Sequence, residues 1–425
     1  MFSYEEALQY IHGAEKLGIK PGLKRALAVL GQLGNPEREL RFAHVAGTNG
    51  KGSTTATIAS IMQAAGYRTG LFISPYLERF EERMQVDGEL IPPDELAACV
   101  SEVKDAAQRA GVVPSEFEIV TATAMLYYRR AGCDIVSLEV GLGGRFDATN
   151  VIPCPDVAVI TSISLDHMKI LGDTVEKIAF EKCGIIKQDG RVVLYPDQPA
   201  GVVEVVRRRA AEEGARLIMP YAAGILPGAE TLDGSDFHYR GLALHTPLIG
   251  EHQLINVATA VEAAFVLRAR GFDLPDEAIE KGVRETKFPG RFEVMRRDPV
   301  VVLDGGHNPD GVRVLRKAAL QHLRTRPGRL IVVMGMLADK DWRQAIPMLA
   351  AIADVFIAAP PASPRALATG EIAKAAEICP DVREALSIPQ AVDMALAEAR
   401  PEDSVLICGS LYLIGEARTY IRGII

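Results

Sequence analysis

The chain has 425 residues, enough for two or three domains and for a core that needs no disulfide or metal staple. Hydrophobic residues make up 48% and charged residues 24%, and 38 glycines with 25 prolines are too few for a disordered or fibrous chain. Acidic residues outnumber basic ones 55 to 47, a formal charge of −8, which argues against a general nucleic-acid coat protein. The N-terminal MFSYEEALQYIHG carries early glutamates and no basic-then-apolar leader pattern. Apolar runs then alternate with helix-like stretches. Strands are predicted at Arg41–Ala46, Thr69–Ile73, Ile135–Val140, Val157–Thr161 and Val192–Tyr195, as a set rich in Val and Ile and nearly continuous in apolar character. Helices are predicted at Thr54–Ala65, Pro93–Ala110 and Ala200–Glu213. This is the βαβ rhythm of a doubly wound sheet. Ala222–Pro247 breaks the rhythm with glycines and short β-like pieces, and a helix follows at Asn256–Arg268.

Lys287–Pro299 has the Pro, Gly and charge content of a linker, which puts a domain boundary near residue 295. A second βα series follows. Its predicted strands are Val300–Leu303, Leu330–Met334, Val355–Ala358 and Val405–Cys408. Its predicted helices are Gly311–His322, Trp342–Ala353, Thr369–Ile378, Pro389–Ala399 and Leu411–Ile421. No apolar run is long enough to span a bilayer. The six cysteines are scattered with no CxxC pair, so neither a zinc knuckle nor a thioredoxin motif is visible, and a reduced cytoplasmic compartment is the expectation. No heptad suggests assembly, so a monomer is expected.

The strongest local signal is Ala43–Thr54, AHVAGTNGKGST. A β-like run enters a glycine-rich turn with Lys51, and Ser53 and Thr54 open a helix. Glycines let backbone N–H groups turn inward, and a helix N-terminus adds positive potential. Gly47, Thr48, Asn49, Gly50, Lys51, Gly52, Ser53 and Thr54 are therefore the candidate triphosphate cradle. Lys51 suits the β- and γ-phosphates and the Ser53 hydroxyl a magnesium ion. The spacing departs from G-x4-G-K-[ST], since only Thr48 and Asn49 separate Gly47 from Gly50, and Gly52 separates Lys51 from Ser53. A generic P-loop kinase or NTPase is thus the weaker reading, and a purely structural β–α turn the bland one.

Glu139 sits at the end of a predicted strand, and Ser74 and the pair Asp166–His167 follow two others, where open α/β sheets bind ligands. A carboxylate, a hydroxyl and an imidazole suit a divalent cation shared with phosphate oxygens. Each also has an ordinary explanation. Glu139 can pair with Arg145, His167 can cap a helix or sit in the core, and Lys182 can be a surface helical lysine beside Glu181.

The chain resembles the folylpolyglutamate synthase and dihydrofolate synthase family, of the bacterial bifunctional type, within the Mur ligase superfamily. The resemblance rests on GTNGKGS and on motifs in family order over nearly the whole chain. Among them are SPYLERFEERMQVDG (Ser74–Gly88), LEVGLGGRFDATN (Leu138–Asn150), SISLDHMKILGDT (Ser162–Thr174), IAFEKCGIIK (Ile178–Lys187), GEHQLINVATA (Gly250–Ala260), FPGRFE (Phe288–Glu293), LDGGHNPDG (Leu303–Gly311) and CGSLYLIGEAR (Cys408–Arg418). Tyr76 stands where many relatives carry histidine.

The resemblance implies an α/β fold. Residues 1–294 would form a Mur-ligase-like P-loop ATPase domain, with a mainly parallel sheet, a small β excursion and the folate pocket. Residues 295–425 would form a smaller Rossmann-like C-terminal ligase domain. It implies an ATP-dependent ligase that joins L-glutamate to dihydropteroate or to a tetrahydrofolate-type substrate through an acyl phosphate, with no nucleic-acid or membrane partner. Magnesium, as two ions with ATP, would lie near Ser53, Ser74, Glu139 and His167. Lys182 would be carbamylated, and a monovalent cation is compatible with the family. Asn256 would lie near adenine, Arg291 and His307 near the phosphates and Asp304 near the ribose. The implied catalytic set is Lys51, Glu139, His167, Lys182 and Arg291. The residues alone leave Arg291 readable as a linker arginine, Asp304–Asn308 as a turn and Asp339–Lys340 as a helix start. Phe80 and Phe117 are candidates to stack on the pterin and equally candidates for the core. Arg79 and Arg83 are candidates for substrate carboxylates or simply solvated charges. A ligase with another carboxylate acceptor is the alternative within the superfamily.

Overall fold

Strands without polar alternation are buried on both faces, and here they form the centre of an eight-stranded sheet. The computed structural model describes residues 1–14 and 22–424. In chain order the strands are β1 Phe42–Ala46, β2 Thr69–Phe72, β3 Met84–Val86, β4 Glu89–Leu90, β5 Ile135–Glu139, β6 Val157–Ile160, β7 Arg191–Leu194 and β8 Arg216–Ile218. In space they run β4-β3-β2-β5-β1-β6-β7-β8. β1 pairs in parallel with β5 and β6, and β2, β7 and β8 continue the parallel set. β3 and β4 add an antiparallel edge. The chain leaves β1 towards β2 on one side and later builds β6 on the other. Such a reversal opens a crevice at the carboxyl ends of the strands, and the ends of β1, β5 and β6 meet it.

The helix after β1, Lys51–Ala64, is buried along most of its length. It packs against the helix Asp276–Glu285, and Gly282 permits the approach. A Cβ there would lie 2.3 Å from the Ile61 Cα. Ser60 Oγ also donates to the Gly282 carbonyl at 2.7 Å. The helix begins at Lys51 rather than at the expected Thr54. The helices Tyr4–Gly13, Lys24–Gln32, Glu116–Ala131, Val175–Lys182 and Asp276–Glu285 complete this part of the chain without having been given bounds from the sequence. Glu116–Ala131 is buried from Glu118 to Tyr128. A helix covered all round has no polar stripe to reveal its period.

Where the β excursion was expected, β9 Leu226–Thr231, β10 Gly234–Tyr239 and β11 Leu242–Thr246 form a three-stranded sheet. The next helix, Glu251–Ala269, starts before the expected Asn256. A six-stranded sheet follows, ordered β12-β13-β17-β14-β15-β16. Its strands are β12 Glu293–Arg297, β13 Val300–Asp304, β14 Leu330–Met334, β15 Val355–Ala358, β16 Val382–Glu384 and β17 Ser404–Cys408. The presumed linker Lys287–Pro299 therefore contains a strand. β12 runs antiparallel to β13 with an irregular register between Val294 and Arg296. An edge strand tolerates charge on its open side, which is why its composition read as a linker. Arg418 of the last helix donates to Glu293 at 2.9 Å and fixes this edge.

Two compact units result. The first holds residues 1–226, 237–245 and 255–287, and the second holds residues 227–236, 246–254 and 288–425. Among the described residues no helix is long and apolar enough to cross a membrane. Gly282→Ala is expected to destabilise the first unit by about 2 kcal/mol, because the new methyl meets backbone that cannot rotate away. Urea unfolding of the variant beside the parent chain measures this, and an unchanged midpoint would show that the two helices can separate at no cost.

Candidate functional site

The glycine-rich loop between β1 and the helix Lys51–Ala64 is shaped by lack of room. A Cβ at Gly47 would lie 1.8 Å from Thr161 Oγ1, and one at Gly50 would lie 2.3 Å from Asn256 Oδ1. Gly50 has φ +84°, a left-handed conformation that glycine adopts without strain. Hydrogen bonds from the segment after β6 fix the turn between them. Ser162 O accepts from Thr48 N at 2.8 Å and from Asn49 N at 3.2 Å. Thr48 Oγ1 donates to Ser164 O at 3.1 Å, and Asn49 Nδ2 donates to Ser164 Oγ at 3.2 Å. Thr54 N makes the helical bond to Gly50 O. The N–H groups of Lys51, Gly52 and Ser53 precede it in the first turn, where a helix has donors to offer an anion.

Lys51 Nζ donates to Thr48 O at 3.3 Å and stands 3.8 Å from Glu139 Oε1. Glu139 ends β5 and is buried, and its Oε2 accepts from Ser74 N at 3.3 Å. The alternative partner Arg145 instead engages Glu181 at 2.6 Å. Ser74 Oγ accepts from Arg83 Nη1 at 3.0 Å. Arg83 is buried between the rings of Tyr76 and Phe80, 5.2 and 5.5 Å from their centroids, so it is not a solvated charge. Lys51, Glu139, Ser74 and Arg83 thus form one connected group. Ser53 is buried at the helix start.

Lys182 is not a surface lysine. It is 4% exposed, and its Nζ donates to the Gly47 carbonyl at 2.7 Å. Burial, and then the neighbouring charge of Lys51, push its pKa down to about 7, against the pull of Asp166 and Asp147. His167 caps the short helix Met168–Leu171 from a left-handed conformation, φ +49°. Its N–H donates to Asp166 Oδ1 at 2.8 Å, and its ring is 44% exposed.

Phe80 is 4% exposed and belongs to the core, with its ring against Tyr76 at 5.8 Å and His12 at 5.9 Å. It therefore offers no face to a ring ligand, which corrects the stacking expectation. Phe117 is half-buried, edge-on to Phe72 at 6.0 Å, and presses on Gly141, where a Cβ would lie 2.4 Å from its Cζ. Arg79 is exposed and paired with Glu81 at 2.8 Å.

In the second unit, Asp304 ends β13 and accepts from Phe292 N at 2.9 Å and Gly306 N at 2.7 Å. Burial raises its pKa while Arg291 pulls it down. The same guanidinium, together with burial as the larger cause, pushes His252 down to about 4. His307 Nδ1 donates to Gly305 O at 2.9 Å. Arg291, Asp304 and His252 therefore share one charge environment. Asn308 is a helix cap, accepting from Gly311 N at 2.7 Å. Asp339 pairs with Arg365 at 3.3 Å.

Sequence reasoning did not single out Thr161, Ser162 and Ser164, which hold the loop, or Asp147 and Asn150. Asn150 Nδ2 bridges Arg145 O at 3.1 Å and Gly184 O at 3.0 Å. The only sequence signal was the place of Asp147, Asn150, Ser162 and Ser164 in motifs already quoted and of Thr161 at the end of a predicted strand.

Among the described residues no three His, Cys, Asp or Glu side chains converge as a metal cage. The available donors are hard oxygens, the Glu139 carboxylate and serine hydroxyls. That set fits a magnesium-type ion, which takes one or two carboxylates and fills its shell from phosphates and water. It does not fit a zinc-type ion held by protein ligands alone.

Residues 45–264 match the Mur ligase middle domain, and residues 290–411 match the Mur ligase glutamate ligase domain. The chain is 38% identical over 432 residues to a dihydrofolate synthase/folylpolyglutamate synthase of Bacillus subtilis strain 168, covering 99% of each. It is 36% identical over 421 residues to the Escherichia coli K12 protein of the same name, covering 97% of this chain and 94% of that one. Among solved structures, E. coli FolC in complex with DHPP and ADP superposes with a TM-score of 0.88 at 32% identity, covering 100% of both chains. Mycobacterium tuberculosis folylpolyglutamate synthase complexed with ADP gives 0.88 at 31% identity, covering 98% of this chain and 99% of that one. The chain therefore shares a known ligase architecture and belongs to the dihydrofolate synthase/folylpolyglutamate synthase family of ATP-dependent Mur-type ligases.

Proposed function

We propose that this ligase joins L-glutamate both to dihydropteroate and to reduced folates, releasing ADP and phosphate. The observation that supports the reading best is the connected group at the ends of β1 and β5. There Lys51 lies 3.8 Å from Glu139, above a helix start whose N–H groups face the loop. A carboxylate and an amine do not condense readily in water. Phosphoryl transfer from ATP makes the carboxylate an acyl phosphate, the glutamate amine attacks its carbonyl carbon, and phosphate leaves.

The chain's work is positioning and charge stabilisation. Residues 47–54 hold the triphosphate, with Lys51 on its β- and γ-oxygens. Asn256 seals Gly50 and meets the nucleotide. Glu139, with Ser53, Ser74 and His167, would hold the divalent ions that accompany ATP, two in this reading. When bound, such ions spread the negative charge of the transferred phosphoryl group. Residues 1–294 carry the nucleotide and the pterin-bearing substrate, and residues 295–425 form the C-terminal ligase domain. Arg291 and His307 serve the phosphates and Asp304 the ribose. Phe117, Arg79 and Arg83 remain the candidates around the folate.

The amine of Lys182, with a pKa of about 7, is half unprotonated near neutral pH. An unprotonated buried amine attacks CO2 with its nitrogen lone pair and releases one N–H proton to solvent, which leaves an anionic carbamate with oxygen donors where the protonated form carries a positive charge. The sign follows from the lowered pKa. The amine is available above about 7 and protonated below it. Its effect on stability has the same direction: the unfolded lysine holds its proton up to the ordinary value of 10.5, so this residue's contribution rises with pH from about 7 to 10.5.

ADP release with Mg-ATP and glutamate, compared for dihydropteroate, tetrahydrofolate and no acceptor with products identified by mass, is expected to show turnover with both acceptors. Turnover with one assigns a single activity, and no glutamate-dependent turnover from protein that binds ATP would remove the folate reading. For Lys182, stripping CO2 is expected to lower activity. Bicarbonate should restore it more fully at about pH 8 than at about pH 6, because the captured form needs the neutral amine. Density for a free ammonium at high resolution and neutral pH would end the carbamate idea.

A further inference from the structure

His44 occupies the middle of β1, fully buried, where a valine or leucine would suit the strand. Its Nε2 lies 2.9 Å from Thr149 Oγ1. The Thr149 hydroxyl donates to Asp147 Oδ1 at 2.5 Å, and Thr149 N donates to the same oxygen at 3.0 Å. Leu142 N donates to Asp147 Oδ2 at 2.7 Å, and Gly141 N also bonds this carboxylate. Burial raises the carboxyl's pKa, and these donors oppose the rise. A carboxylate surrounded by N–H and O–H donors acts as acceptor throughout, so the threonine proton is committed to it. The lone pair left on Thr149 Oγ1 then requires a donor, and only the Nε2–H tautomer of His44 supplies one.

The other ring nitrogen, Nδ1, is buried with no hydrogen-bond partner among the described residues. An unpaired buried nitrogen lowers stability, so the histidine is not explained by packing. What it reaches explains it better. Asp147 clamps the peptide N–H groups of Gly141 and Leu142, two and three residues beyond Glu139, while the intervening Val140 N–H donates to Val45 O of β1 at 2.9 Å. β1 and β5 are neighbours, with Val45 opposite Glu139.

We infer that His44, Thr149 and Asp147 form a positioning relay that holds the backbone at Gly141 and Leu142, just beyond Glu139, with His44 as a fixed Nε2–H donor. The inference rests on the reading that Glu139 works at the nucleotide. His44 is not an acid or base in the reaction, since burial and then the charge of Lys187 push its pKa down to about 3. It orients an acceptor that in turn orients backbone. Groups at this remove from a reacting centre typically change activity by about 10–100-fold when removed.

Two measurements test the relay. In ligand-free protein, 15N NMR of the His44 imidazole is expected to show a protonated Nε2 and an unprotonated Nδ1, unchanged from about pH 5.5 to 9. An Nδ1–H tautomer, or titration near the ordinary histidine value, overturns the relay. In turnover, Thr149→Val and His44→Leu are each expected to lower kcat by about 10–100-fold with KM for ATP nearly unchanged, and together to cost no more than either alone. Thr149→Ser and His44→Gln, which keep a hydroxyl and an amide donor, should recover most of the loss. If His44→Leu does not fold, the near-isosteric pair Thr149→Val and Thr149→Ser decides. Parental kcat in folded Thr149→Val, or an equal loss in Thr149→Ser, overturns the inference. Glu139→Gln run alongside separates the two failures: full turnover there removes the role of Glu139, whereas the tautomer measurement reports on the relay alone.

Discussion

The backbone at the end of β1 must turn sharply while keeping its N–H groups directed inward, and it does so in a space with no room for side chains. Gly47 lies against Thr161, and Gly50 lies against Asn256. A β-carbon at either place would collide with a side chain that is itself held by the sheet or by a buried helix. The loop therefore takes its shape from its surroundings. Ser162 and Ser164 supply the acceptors that fix Thr48 and Asn49, and the Lys182 amine takes the Gly47 carbonyl. The placement of Lys51 against Glu139 follows from that frame.

Charge at the site is arranged by the same packing. Two lysines approach one short loop, and the buried one responds by lowering its pKa towards neutrality, because a second desolvated cation beside Lys51 is costly. Glu139 lies between the lysine and the amide of Ser74. Arg83 adds a buried guanidinium one hydroxyl away. In the second unit, Arg291 acts in the opposite sense on two neighbours, favouring the ionised form of Asp304 and the neutral form of His252. These are linked choices of protonation state, and no single group sets them.

Much of this was legible in the residues. The Val/Ile runs announced the parallel strands, since strands buried on both faces carry no polar alternation. The GTNGKGS pattern announced a tight glycine-rich turn into a helix. The order of the motifs announced the family. Local pattern failed where burial is complete or one-sided by position. The helix Glu116–Ala131 has no polar face, and β12 has the composition of a linker because it is an edge.

Tertiary structure alone decided which of several plausible partners each charged side chain takes. Sequence allowed Glu139 to pair with Arg145, Lys182 to lie at the surface and Phe80 to face a ligand. Folding paired Glu139 with Lys51, buried Lys182 on a carbonyl far away in sequence and placed Phe80 in the core. His44, Thr149 and Asp147 lie within quoted motifs, but nothing along the chain announces that they are partners, because His44 and Thr149 meet only in the folded chain. Sequence determines which chemistry the chain carries, since residue types and their spacing are local. The protonation states and partners of those residues belong to the fold, because burial and Coulomb interaction depend on distances in space.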